Sequence, residues 1–164
     1  METLALKTIV VDIADMAVSK DPGNLLITYS LGSCIGLTIW DPVAGVGGLL
    51  HYMLPESTIS PDKAQHNPCM FADLGIPLLF KKAYMLGADK KRIVVKVAGA
   101  AQLMDAKGIF NIGKRNHLAL RKILWRNNVI IEKEDIGGFE GRTMKLEIST
   151  GKVTIKTKAG EYEL

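Results

Sequence analysis

The stretch Thr28-Tyr-Ser-Leu-Gly-Ser-Cys34-Ile-Gly-Leu-Thr-Ile-Trp40-Asp-Pro-Val-Ala-Gly-Val-Gly-Gly-Leu-Leu-His51-Tyr-Met-Leu-Pro55 carries the alternation from which the fold is read. From Cys34 to Trp40 the apolar residues Ile35, Leu37 and Ile39 alternate with Cys34, Gly36 and Thr38, the period of a strand with two unlike faces. Residues 46–54 read as a second strand. Between them, Asp41-Pro42-Val43-Ala44 has Asp at the first and Pro at the second position of a type I turn. A reversal centred between Pro42 and Val43 pairs residues whose numbers add to 85, so Cys34 is expected to face His51. Directly opposed side chains have Cβ atoms roughly 4.5 to 5.5 Å apart, close enough for a thiol and an imidazole to share a proton. A bulge at Gly45, Gly47 or Gly48 would slip this register by one and turn the two groups to opposite faces.

Such a pair has a definite chemistry. A free thiol has a pKa of about 8.5 and reacts as thiolate; a neighbouring imidazole takes the proton and later returns it to a leaving group. Thr28, six residues before Cys34 on the preceding apolar strand, is in reach to orient that imidazole. Gly32-Ser33 forms a tight turn that presents the thiol next to backbone N–H groups able to hold an oxyanion, with the Ser33 hydroxyl beside them. The plainer reading stands next to this one. A lone cysteine in an apolar strand is commonly a small buried hydrophobe, and a lone histidine a structural residue.

With 164 residues, 48% of them hydrophobic and 23% charged, the chain is expected to form one domain, residues 1–164, around a sizeable core. No apolar run approaches the roughly 18 residues of a membrane span, and no basic-then-apolar segment opens the chain, so a cytoplasmic protein without membrane insertion is expected. Two cysteines make no disulfide framework, and there is no ligand cluster at zinc spacing; neither a metal nor a cofactor is expected. Cys69, at the start of a helix opened by Asn67 and Pro68, reads as a packing residue. His66 lies in a polar stretch, residues 57–67, that reads as a mobile loop, and His117 reads as a solvated side chain on a basic helix. The net charge is +4, but Lys81-Lys82, Lys90-Lys91-Arg92 and Lys114-Arg115 lie apart and without interleaved aromatics. Nucleic acid is not indicated; a mildly basic face suits an acidic protein partner.

The remaining punctuation gives strands at residues 8–13 and 25–29 around the turn Asp21-Pro22-Gly23-Asn24. A helix is expected over 68–86, kinked at Pro77 and closed by Gly87, with Phe71, Leu74, Leu78 and Met85 on its apolar stripe. A buried strand follows over 92–98. A second helix over 113–127 turns Leu120, Ile123 and Leu124 inward. Strands over 129–135, 143–149 and 153–157 complete the chain, the last two joined at Thr150-Gly151. The order argues for an α+β domain, two main helices on a mixed, largely antiparallel sheet. Val97-Ala98-Gly99-Ala100-Ala101 lacks the spacing of a nucleotide loop. Asn111-Ile112-Gly113 and Asp135-Ile136-Gly137-Gly138 read as turns in which glycine supplies a positive φ.

In its motifs the chain resembles the CheD family of bacterial and archaeal chemotaxis proteins, the chemoreceptor glutamine deamidases. The resemblance rests on Thr28, Leu31-Gly32-Ser33-Cys34, Trp40-Asp41-Pro42 and His51-Tyr52-Met53-Leu54-Pro55. It continues through Val97-Ala98-Gly99-Ala100 with Met104, Asn111-Ile112-Gly113-Lys114-Arg115-Asn116, and Asp135-Ile136-Gly137-Gly138-Phe139-Glu140-Gly141-Arg142. Ser30 and Ala100 stand where glycine is common in that family, and Leu50 where a small residue often precedes the histidine. The resemblance implies a layered α/β/β sandwich and catalysis by Cys34, His51 and Thr28. It further implies chemoreceptors as substrates and CheC, a phosphatase of the chemotaxis response regulator, as a regulatory partner. Two rivals remain open at this point: another thiol acyl transfer, as in a cysteine peptidase or transglutaminase, and a module that binds receptor or CheC without chemistry.

Overall fold

The computed structural model describes residues 5–102 and 110–164; Met104 lies outside them. Among the described residues the elements run β1 (Lys7–Val10), β2 (Asp15–Ser19), β3 (Asn24–Leu31), β4 (Ile35–Asp41), β5 (Val46–Tyr52), α1 (Pro61–His66), α2 (Ala72–Met85), β6 (Val94–Gly99), α3 (Ile112–Arg126), β7 (Ile131–Ile136), β8 (Arg142–Glu147), β9 (Val153–Thr157) and β10 (Gly160–Glu163). The expected hairpin is β4–β5, and it sits inside a five-stranded sheet of order β2-β5-β4-β6-β7. The second sheet has the order β1-β3-β8-β9-β10. Each sheet holds one parallel pair, β6 with β7 and β1 with β3, and is otherwise antiparallel.

Alternation along the hairpin separates the layers. Ile35, Leu37, Ile39, Leu50 and Tyr52 pack with Ile76 and Leu79 of α2 and with Leu120 and Leu124 of α3. Leu49, from the other face of the same sheet, packs with Leu26, Leu31, Met144, Leu146 and Ile155 of the second sheet. Helices, hairpin sheet and second sheet thus stack as the α/β/β sandwich expected. Because β5 is covered on both sides, all seven of its residues are buried.

Four expectations are corrected. The β4–β5 register is Gly36 opposite His51 and Asp41 opposite Val46, so paired numbers add to 87 and not to 85. The reversal comes later because the Asp41 side chain accepts from the N–H groups of both Val43 and Ala44, while Gly45 at φ 69° extends the turn and donates to the Asp41 carbonyl. A shift of two in the sum keeps every side chain on its face. The buried stripe of α2 is Ala72, Gly75, Ile76, Leu79, Phe80 and Ala83, whereas Leu74 and Met85 are exposed. Gly75 lets α2 settle onto Leu50, whose methyl carbons would lie 3.2 and 3.3 Å from a Cβ there, and this turns the helix away from the expected stripe. Residues 57–67 are ordered: a 3-10 turn at Ser57–Ile59, held where the Asp73 carboxylate accepts from Ser57, leads into α1. Finally β2 and β10 are strands that the sequence pattern missed, both short and at sheet edges. No helix among the described residues is long and apolar enough to cross a membrane.

Candidate active site

Cys34 immediately precedes β4, two residues before the Gly36 that opposes His51. The thiol and imidazole therefore stand on a diagonal of the ladder, roughly 7 to 8 Å apart at the backbone, and not directly opposite as expected. They occupy the same layer: Cys34 packs into the cluster between the sheets, the layer that His51 shares with Thr28 on β3.

Thr28 sets the chemistry of His51. Its hydroxyl lies 2.7 Å from the Val11 carbonyl and 2.7 Å from His51 Nδ1. A carbonyl only accepts, so the single hydroxyl proton of Thr28 is committed to Val11. Thr28 Oγ1 must then accept from His51, which places the ring proton on Nδ1 and leaves Nε2 as a bare lone pair. That Nε2 is buried without a hydrogen-bond partner. Burial holds both groups neutral: it pushes the His51 imidazole down to about 4, and the Cys34 thiol up to about 11 against the opposing pull of Cys34's own backbone N–H.

The turn that presents Cys34 is tied at three successive carbonyls. Ala101 N donates to Gly32 O (2.8 Å), Asn116 Nδ2 to Ser33 O (2.9 Å) and Ala100 N to Cys34 O (2.9 Å). Peptide planarity turns the N–H of Ser33 and of Cys34 away from these anchored carbonyls, and the Cys34 N–H lies by its own sulfur. Gly99 is required here: it has φ 119°, and any Cβ would run into the Cys34 carbonyl. Gly113 is likewise a glycine of close approach, since a Cβ would lie 2.7 Å from the Ala100 carbonyl; its role is packing, and the positive φ falls on Asn111 at 49°.

Asn116 joins the site although its sequence position alone does not single it out. It is wholly buried on α3, and its Nδ2 reaches both Ser33 O and Met53 O (2.8 Å), joining the Cys34 turn to the end of β5 just beyond His51. The Tyr52 hydroxyl donates to the Asn116 carbonyl (2.7 Å), and Asn116 Oδ1 is buried without a partner. A polar residue between the inward positions of an amphipathic helix was the available signal. Arg142, also buried, donates to Gly137 O (2.7 Å), Gly99 O (3.2 Å) and Asp135 (3.2 Å), fastening the turn after β7 to the end of β6. These loops wall a cleft of about 550 Å³ beside Ser33, lined also by Ala100, Gly113, His117 and Gly138. Ser33 and the two glycine loops thus meet at one cleft. His117 is not simply solvated: its Nε2 lies 2.9 Å from Glu134 on β7. His66, exposed at the end of α1, and the half-buried Cys69 do not join this group. Among the described residues no cluster of His, Cys, Asp or Glu could hold a metal ion.

Fold and site together define a class: three-layer α/β/β proteins that gather a half-buried cysteine and a buried histidine–threonine pair at one end of a central hairpin. Residues 53–157 match the family model described as CheD chemotactic sensory transduction. Over most of its length the chain is similar to the probable chemoreceptor glutamine deamidase CheD 1 of Syntrophus aciditrophicus (strain SB), 53% identical over 93% of this chain and 95% of that protein. The probable chemoreceptor glutamine deamidase CheD of Solibacter usitatus (strain Ellin6076) is 47% identical over 97% and 94%, and that of Syntrophotalea carbinolica (strain DSM 2380 / NBRC 103641 / GraBd1) is 41% identical over 97% and 100%. The chain belongs to the CheD family. Its two departures at glycine positions have a visible consequence, because Ser30 (φ 58°) and Ala100 (φ 56°) both adopt the left-handed conformation that glycine enters at lower cost. Leu50 is accommodated on the helix side, against Gly75, away from the layer of His51.

Proposed function

We propose that the chain is a single-domain, cytoplasmic protein-glutamine deamidase that converts glutamine side chains of chemoreceptors to glutamate. The observation that carries this reading is the unpartnered, unprotonated Nε2 of His51, held in that tautomer by Thr28 in the layer that Cys34 enters. As the Cys34 sulfur attacks the carboxamide carbon, its proton passes to His51 Nε2, and the carbonyl π-electrons move onto oxygen. The N–H groups of Ser33 and Cys34 receive that oxyanion, with Gly32 shaping the turn and the Ser33 hydroxyl in support; loss of one such donor typically costs roughly 3 to 4 kcal/mol of barrier. Collapse breaks the C–N bond, and the His51 proton leaves with ammonia. Water then attacks the γ-glutamyl thioester, giving its proton to His51; the C–S bond breaks, glutamate is released and the thiol is restored. The neutral resting pair suits this sequence, because charge develops only once substrate has displaced water.

CheC is the regulatory partner we assign to this protein, competing for the receptor-binding face. Mass spectrometry of a recombinant chemoreceptor after incubation is the test. A gain of about one mass unit per modified glutamine, with an intact backbone, supports the reading. Cleaved receptor or amine incorporation would move the protein to another thiol acyl transfer, and tight receptor binding without any mass change to a binding module.

A further inference from the structure

Helix α3 carries Lys114, Arg115, Arg121, Lys122 and Arg126 and no acidic residue. Two of these cations, Lys114 and Arg115, occupy the first turn, where the helix dipole favours carboxylates and the sequence supplies none. Local rules are broken in this way where a surface serves function over stability. Lys114, Leu118, Arg121, Lys122 and Trp125 recur at i, i+4, i+7, i+8 and i+11 and so share one solvent face, opposite the buried Asn116, Leu120 and Leu124. That face holds large apolar groups among its charges: Leu118 is 52% exposed, Trp125 79%, and Ile130 just beyond the helix 82%. One end of the stripe, Lys114, lines the cleft beside Ser33. The other runs along a shallow groove between α3 and the edge strand β7, roughly 16 Å away at 1.5 Å per residue. The β7 wall adds Glu132 and Lys133, which offset each other, and Glu134, which His117 engages.

We infer that the solvent face of α3 is a docking stripe for an acidic amphipathic helix of the substrate protein, which lays its apolar residues on Leu118, Trp125 and Ile130 and its carboxylates against Arg121 and Lys122. This rests on the deamidase reading only for the identity of the substrate. The stripe explains how an enzyme that acts on one side chain selects a protein. Neutral apolar contacts give the groove its affinity, and the cations give it direction and partner choice.

The test has one arm that needs turnover and one that does not. With recombinant chemoreceptor, the double variant Arg121→Glu/Lys122→Glu and the variant Trp125→Ala should each raise KM about tenfold or more with kcat within about twofold. KM for a glutamine tripeptide, about 10 Å long and unable to reach Trp125 from the cleft, should not move. Without turnover, a peptide of leucine and glutamate in helical period should shield Trp125 from acrylamide quenching, Trp125→Phe supplying the Trp40 background. The same peptide with lysine for glutamate should not shield it. An unchanged receptor KM in the double variant overturns the stripe while leaving the deamidase intact. Shielding by the acidic peptide in a wild-type protein that makes no glutamate overturns the deamidase and leaves the stripe. Shielding by phosphatidylserine vesicles or an RNA oligomer in preference to the acidic peptide overturns the assignment of a protein helix.

Discussion

The two ends of the β4–β5 hairpin are built from similar materials and finished in opposite ways. At the turn end the wholly buried Asp41 carboxylate accepts from the backbone N–H of Val43, Ala44 and Asp89 and from Arg92 through Nε and Nη2, the last at 2.9 Å. Burial alone would raise its pKa, but Arg92 and the three N–H groups outweigh that and hold it well below the usual carboxylate range. At the other end, His51 Nε2 and Asn116 Oδ1 are buried without partners, as is Arg142 Nε in the fastening of the cleft wall. Among the described residues these are all the orphaned buried side-chain nitrogens and oxygens. A fold that satisfies one end so fully has no general shortage of partners. Orphans confined to the other end set it apart as the candidate site.

The largest effect should come from Cys34→Ala, which removes one sulfur and no hydrogen bond that fixes the turn. Deamidation measured by mass spectrometry should fall by at least about 10⁴-fold, with thermal stability nearly unchanged. If the variant kept its activity, the cleft end would be as structural as the turn end.

Much of this contrast was legible in the residues. The alternation of Ile35, Leu37 and Ile39 placed the layers, and the spacing of Thr28, Cys34 and His51 put the three candidate residues in one layer. The register was not legible, because it depends on how many residues the Asp41 side chain draws into the turn. Neither was Asn116: a buried asparagine and a solvated one look alike in sequence, and only the approach of Gly113 to the Ala100 carbonyl brings it against Ser33 and Met53. The α2 stripe was misplaced for a related reason, since Gly75 counts as apolar contact only once Leu50 is known to face it.

Acid should separate the two ends. The folded protein holds His51 neutral down to about 4, whereas the unfolded chain takes up that proton near the ordinary 6.5. Below pH 6.5 the unfolded state thus binds more protons, and stability falls by about 3 kcal/mol between pH 6.5 and 4. Asp41, whose pKa is lowered, contributes stability that is lost only as pH drops below the usual carboxylate value near 3.8. Above pH 9 the sign reverses for Cys34: the unfolded thiol ionises first, and stability declines toward pH 11. Urea melts across pH should show the 6.5-to-4 loss vanish in His51→Ala and persist in Asp41→Asn.

Asp41→Ala should cost about 2 to 3 kcal/mol of stability, the low side for breaking a buried ion pair because Arg92 is part-exposed and can turn to water. Its kcat, measured on folded protein, should match wild type. Thr28→Val should do the reverse, lowering kcat on the order of 100-fold as His51 loses its fixed tautomer, with a stability loss of about 1 to 2 kcal/mol from the unpaired Val11 carbonyl. Equal losses of kcat in both variants would erase the distinction between the ends.

The smallest effect is the most discriminating. Asn116 makes no hydrogen bond to sulfur or imidazole; it holds Ser33, next to Cys34, and Met53, two residues beyond His51, so it is a positioning residue. Asn116→Ala should lower kcat about tenfold and leave KM nearly unchanged; its stability should fall by about 1 to 3 kcal/mol, because the Ser33 and Met53 carbonyls lose their donor and the removal of the orphaned Oδ1 offsets only part of that. Asn116→Asp sets an oxygen against two carbonyls and should be worse near neutral pH. Protonation returns one donor to that position, so kcat of Asn116→Asp relative to wild type should recover as pH is lowered toward 5. A variant that merely loosened the core would show no such recovery, and a flat ratio across pH would remove Asn116 from the site.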